Sequence, residues 1–159
     1  MKTAIIYYSY DGNSALIAET LKAVLNADKY EIKTVDGKRR KGFALFFWGG
    51  SQVFLKKKPA ILPVKADINS YDLIILGSPV WAASPSPAIV SYLDETKITG
   101  KKLALFCCHG GGMGKALEKL KALLPGNTFV GEADFLNPAK GDNAALKQKI
   151  EAWTKTFST

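Results

Sequence analysis

The sequence predicts an α/β fold: a three-layer sandwich in which helices cover both faces of a five-stranded parallel sheet. Three observations predict it. Short apolar runs, as expected of strands buried on both faces, alternate with segments whose apolar residues recur at helical spacing. Turn chemistry rich in glycine, serine, asparagine and proline closes the runs. No repeat, low-complexity tract or linker interrupts the 159 residues, a length that suits one domain with a sizeable core.

Ala4 to Tyr8 is the first buried run, and Ser9 to Ser14 is the turn after it. Leu16, Ile17, Thr20, Leu21, Val24 and Leu25 then mark a helix. Tyr30 to Val35 alternates charged and apolar residues, the pattern of a more exposed, edge-type strand. Leu73 to Leu76 is the second buried run, ended by Gly77-Ser78-Pro79. A helix beginning near Pro85 or Pro87 turns Ile89, Val90 and Leu93 inward, because proline fits a first helical turn. Leu103 to Cys107 is the third buried run, ended by His109-Gly110-Gly111-Gly112. Leu117, Leu120, Leu123 and Leu124 mark a helix that stops at Pro125-Gly126. Thr128-Phe129-Val130 begins the last strand. Leu146, Ile150, Trp153 and Phe157 stripe a closing helix capped by Asp142 or Asn143.

In such sheets ligands bind beyond the carboxyl ends of the strands. That rule selects three loops: Ser9–Ser14, Ser78–Ser84 and Cys108–Gly114. The first is the most informative. A helix starting at Asn13 or Ser14 offers unpaired N–H groups and a dipole that favours an anion. Simple helix capping by Ser and Asn is the competing reading.

Composition sets the class. The chain is 47% hydrophobic and 23% charged, which excludes general disorder. Its net charge of +8 is concentrated in residues 37–66. Lys38, Arg39, Arg40, Lys41, Lys56, Lys57, Lys58 and Lys65 lie there with no acidic residue, and the rest of the chain balances. That excludes a uniformly basic, histone-like polymer. Two adjacent cysteines, Cys107 and Cys108, build no disulfide framework and favour a reducing compartment. No apolar stretch approaches the ~20 residues of a membrane span. A cytoplasmic location is expected.

Three motifs carry a resemblance. Ser9-Tyr10-Asp11-Gly12-Asn13-Ser14 resembles the phosphate loop of flavodoxins, Ser/Thr-x-Thr-Gly-x-Thr/Ser. Gly77-Ser78-Pro79-Val80-Trp81 is similar to that family's first flavin loop, and Cys107-Cys108-His109-Gly110-Gly111-Gly112 to its second. The resemblance covers essentially the whole chain and is to the short-chain type. It implies a flavodoxin-like sheet of order 2-1-3-4-5 in one domain over residues 1–159, with the basic, aromatic-rich segment 37–66 between strands 2 and 3. It also implies bound flavin mononucleotide (FMN). Ser9, Asn13 and Ser14, with backbone N–H groups around Gly12 and Ala15, would hold the phosphate, and Asp11 is counted with them as part of the same cofactor loop. Ser78, Pro79, Val80, Trp81 and Ala82 on one side and Cys108, His109, Gly110, Gly111 and Gly112 on the other would bracket the ring, with Trp81 stacking on it.

Two features depart from the family pattern. Asp11 stands where a threonine usually donates to the phosphate, and a carboxylate repels a dianion unless it turns away or caps the helix. Trp81-Ala82-Ala83 lacks the usual glycine, and non-glycine residues resist positive φ. His109, the single histidine, reads either as a hydrogen-bond donor to the reduced ring or as a plain loop residue. Cys107 and Cys108 should point to opposite faces of the sheet, which argues against a metal site shared with His109. No nucleophile elbow, Walker loop or dinucleotide fingerprint is present.

The basic segment reads first as the second crossover helix with solvated charges, and as a functional surface it suits an acidic protein partner. No nucleic-acid-binding signature accompanies it. The expected function is an FMN-binding electron carrier that meets a redox partner at the flavin edge, an acidic one where the basic segment guides docking. An FMN-dependent NAD(P)H:quinone or nitroaromatic reductase is the alternative, and a protein-binding module without flavin comes third.

Overall fold

A computed structural model describes residues 1–36, 50–51 and 58–157. The expected helix across the basic segment, with Trp48 and the Lys38–Lys41 cluster, lies outside the described residues.

The chain runs β1 (Thr3–Tyr8), α1 (Asn13–Leu25), β2 (Asp28–Ile32), β3 (Leu73–Trp81), β4 (Ser84–Pro85), α2 (Pro87–Glu95), β5 (Lys102–His109), α3 (Ala116–Ala122), β6 (Thr128–Leu136) and α4 (Asn143–Thr154). The five long strands are parallel in the order β2-β1-β3-β5-β6. This is the arrangement implied by the family resemblance. The addition is β4, two residues that pair antiparallel with the end of β3.

Strand alternation sorts the core into two layers. Ile6, Ile74, Leu76, Leu103, Leu105 and Cys107 face α2 and α3, meeting Ile89, Tyr92, Leu117 and Leu120. Ile5, Tyr7, Ile75, Phe106 and Cys108 face α1 and α4, meeting Ile17, Leu21, Ile150 and Trp153. Ile17 and Leu21 are fully buried, and each contributes about 1.5–3 kcal/mol by leaving water. The adjacent cysteines fall into opposite layers, as the strand period requires, and both are free and buried.

Helix ends follow local chemistry. Asn26 closes α1 in the left-handed conformation that asparagine tolerates (φ 49°). Pro87 opens α2 where no N–H is needed. The Asp142 carboxylate caps α4 by accepting from the N–H groups of Ala144 and Ala145. Beyond β2 the chain makes one antiparallel bridge, Thr34 with Ile61, flanked by Val35 N–H to Ala60 O and Leu62 N–H to Lys33 O. Among the described residues no helix is long and apolar enough to cross a membrane.

Two strands run further than their apolar cores predict. β3 continues through Gly77, Ser78, Pro79 and Val80 to Trp81, and β5 continues through Cys108 to His109. Pairing of β3 with β1 ends at Gly77, while pairing with β5 continues to Pro79 opposite Cys108. Proline sits where β3 has lost one neighbour, so its missing N–H breaks no ladder on that side.

Candidate functional site

The carboxyl ends of β1, β3 and β5 place the predicted loops side by side. Tyr8 and Tyr10 meet Trp81 edge to face, with ring centroids 6.2 and 5.5 Å apart. This aromatic cluster joins the loop after β1 to the end of β3. Both tyrosines are buried. Their contact with Trp81 is not visible in the local sequence pattern, although they flank Ser9 in the motif itself.

The first loop is a capped helix start with an opening left in it. Gly12 takes φ 94°, a conformation that favours glycine. The Asp11 carboxylate accepts from the Asn13 backbone N–H at 3.1 Å and from Asn13 Nδ2 at 2.8 Å. Asp11 therefore takes the capping alternative. Ser9 Oγ accepts from the Ala15 N–H at 3.2 Å, which leaves its own O–H proton free to donate. Asn13 Oδ1 accepts from the Ala139 N–H at 2.9 Å, so most of the Asn13 amide is spent inside the protein. Ser14 differs. It is 1% exposed, and its hydroxyl has no hydrogen-bond partner. The Cys108 thiol lies close enough to feel it, but a thiol is a weak partner. A buried polar group without a partner costs about 1–3 kcal/mol. A phosphate oxygen would satisfy it, and the site is the N-terminus of a thirteen-residue helix. The residues present fit a phosphate.

The second loop is a tight hairpin. Trp81 pairs with Ser84 and Val80 with Pro85, which leaves Ala82 and Ala83 as a two-residue turn. Both alanines adopt positive φ, 47° and 54°. Two left-handed residues in a two-residue hairpin are the pattern of a type I′ turn, which normally selects Asn-Gly. The resistance of alanine to positive φ is thus overcome, at about 1–2 kcal/mol per residue. Ser78 and Ser86 support the hairpin from beneath. The Ser86 N–H donates to Ser78 Oγ at 2.9 Å, and the two hydroxyls are 3.2 Å apart. The Ser78 hydroxyl donates in turn to Pro79 O, so it faces inward. The hairpin leans on the third loop: a Cβ on Gly114 (φ 51°) would sit 2.5 Å from the Ala83 Cβ. Lys119 of α3 donates to Ser84 Oγ at 2.7 Å.

The third loop follows β5. His109 is nearly buried and uses both ring nitrogens within the protein. Its Nδ1 accepts from the Gly112 N–H, and its Nε2 meets the Asp134 carboxylate, each at 3.0 Å. The His109 hydrogen bond, helped by the Lys149 ammonium, holds the Asp134 carboxyl below the usual carboxylate range. Burial pushes the Cys107 and Cys108 thiols up to about 12, so neither is a ready nucleophile.

A fourth segment, unforeseen from the sequence, completes the rim. At the end of β6, Asn137 donates its N–H to His109 O at 2.9 Å, and Ala139 reaches Asn13 as described. These contacts join residues 28 and 126 positions apart, so no local pattern announces them. A cleft of about 560 Å³ opens elsewhere, between α1 and α4. None of the predicted site residues lines it.

The loops after β1, β3 and β5 lie together at one end of a sheet of this order, and one family model, described as flavodoxin, matches residues 2–156. The chain belongs to the flavodoxin family. Flavodoxins bind FMN. A flavoprotein from Lactobacillus acidophilus, solved in complex with FMN, is similar at 25% identity with a TM-score of 0.75, over 96% of this chain and 98% of that one. Megasphaera elsdenii flavodoxin shares the fold at 20% identity and TM-score 0.62, over 97% and 99%. A WrbA-like flavodoxin from Agrobacterium tumefaciens shares it at 17% and 0.64, over 98% and 94%. No curated protein matches.

Proposed function

We propose that this flavodoxin-family chain is an FMN-binding electron carrier of the cytoplasm. One observation carries the reading: the buried Ser14 hydroxyl at the start of α1, whose sole hydrogen-bonding neighbour among the described residues is the weakly bonding Cys108 thiol, beside a Ser9 hydroxyl with a proton to donate. These two hydroxyls would hold the phosphate, since the Asn13 and Ala15 N–H groups are already taken by Asp11 and Ser9. When bound, FMN supplies the one-electron chemistry. The protein supplies position and shelter. Asp11 has its negative charge partly compensated by the two Asn13 N–H donors, backbone and side chain. Trp81, braced by Tyr8 and Tyr10, would wall one side of the ring, and the Cys108–Gly112 strand end and loop the other. With both nitrogens of His109 committed, that side chain shapes the loop and is not set to deliver a proton to the ring.

The redox partner would approach the open rim where the ring loops meet. The charge of residues 37–66 favours an acidic partner, and rates of transfer to it would fall as salt rises.

The test is flavin binding. Wild-type protein should quench its tryptophan fluorescence on adding FMN and bind FMN tighter than riboflavin. Ser14→Ala should weaken FMN about tenfold, equivalent to the ~1.4 kcal/mol of one hydrogen bond to a charged group, and leave riboflavin unchanged. A chain that ignores micromolar FMN refutes the carrier. Steady NADPH oxidation by the flavin-loaded protein would instead favour the reductase.

A further inference from the structure

We propose that Asp134 is a positioning residue for the Cys108–Gly112 loop, acting through His109. A backbone N–H only donates, so the Gly112 N–H requires an unprotonated Nδ1 on His109. A neutral imidazole then carries its proton on Nε2, and that proton needs an acceptor. Asp134 Oδ2 lies 3.0 Å away. The His109 side chain is 9% exposed and the Asp134 side chain 48%, so the carboxylate stands between the ring nitrogen and the solvent. The carboxylate thus selects the tautomer, and the tautomer holds the loop. A second-sphere carboxylate orienting a histidine in this way is a general device.

Asp134 is itself well fixed. It sits in β6 opposite Cys107, and the Lys149 ammonium of α4 donates to its carbonyl at 2.7 Å. Two residues further on, the same strand ends and Asn137 binds the His109 carbonyl. His109 is therefore held from β6 at both main chain and side chain. At the other end of the relay, Gly112 stands at φ 147° with its N–H turned to the imidazole. That N–H is withheld from anything bound beside the loop, and the loop's remaining donors are presented in a fixed arrangement. The consequence for flavin rests on the FMN reading. The relay itself does not.

The experiment exploits the fact that His109 is the chain's single histidine. Nitrogen–proton NMR then reports one imidazole, and exchange of the Gly112 amide reports the loop. Wild type without flavin should carry its proton on Nε2 and protect the Gly112 amide. Asp134→Ala should speed Gly112 exchange by tenfold or more and expose the Nε2 proton to rapid exchange. Asp134→Asn, whose side-chain oxygen still accepts, should restore both. In loaded protein Asp134→Ala should weaken FMN and riboflavin by the same factor, because the ring loop and not the phosphate loop has loosened. The proposal fails if the wild-type proton resides on Nδ1. It also fails if Asp134→Ala leaves Gly112 exchange unchanged, whatever happens to affinity. A wild type that binds no flavin refutes the FMN reading alone, since the flavin-free arm still decides the relay.

Discussion

The two loops that would bracket a flavin ring are built on opposite plans. The hairpin after β3 is short and strained: two alanines hold left-handed backbone, and the turn is kept there by contact with Gly114 and by the Lys119–Ser84 bond. The loop after β5 is glycine-rich and free to wander in principle, yet the His109 and Asp134 side chains and the Asn137 main chain tie it down. One loop stores conformational energy and the other resists conformational entropy. Either plan can fix a surface against a ring, but they should fail differently when perturbed.

The largest effect is expected where the plans meet. Gly114→Ala would drive a methyl group into Ala83 and place a side chain at φ 51°. Left-handed strain and overpacking together should cost about 3 kcal/mol, seen as a lower urea midpoint at unchanged slope. A loss under ~0.5 kcal/mol would mean that the loops do not lean on each other.

Replacing Ala82-Ala83 with Asn-Gly should do the reverse and raise stability by about 1–2 kcal/mol. The same change at an unstrained turn would do nothing, so thermal denaturation of this variant measures the strain directly. Flavin affinity should change less than stability, because the turn geometry is kept.

The tethered side should show itself at high pH. Burial raises the Cys108 thiol from 9.0 to about 12. Folded protein then binds a proton that unfolded protein releases, so stability is whole below pH 9.0 and falls as pH climbs toward about 12. Cys107 behaves likewise. Denaturant midpoints across that range should drop more steeply for wild type than for Cys108→Ala. Equal slopes would show that the thiol is not held neutral by the fold.

The smallest effect is expected from Lys119→Met, which keeps the aliphatic stem and deletes the bond to Ser84. A loss of about 0.5–1 kcal/mol is expected. A larger loss would promote Lys119 from a brace to a principal support of the hairpin.

Sequence patterns reached the sheet more easily than the rim. The cores of β1, β3 and β5 are apolar runs with one reading, and their order followed from the motifs. Their ends were hidden: Gly77-Ser78-Pro79 has turn composition yet lies in β3, because the pairing partner across β5 decides the matter. Asp11 was read as a choice between repulsion and capping, and the geometry of Asn13 chose capping. Ser14 was legible from its place in the motif. Asp134, Asn137 and Ala139 were not, since each acts on a residue 25 or more positions away.

The separation of Cys107 from Cys108 by the sheet has a practical consequence. Two chemically identical reporters, adjacent in the chain, look into different halves of the molecule. A thiol-reactive dye that labels Cys107 first would report the α2–α3 side unfastening, and one that labels Cys108 first the α1–α4 side. Single-cysteine variants would therefore time the opening of each half without any added label site, and would reveal whether the two halves part together or in turn.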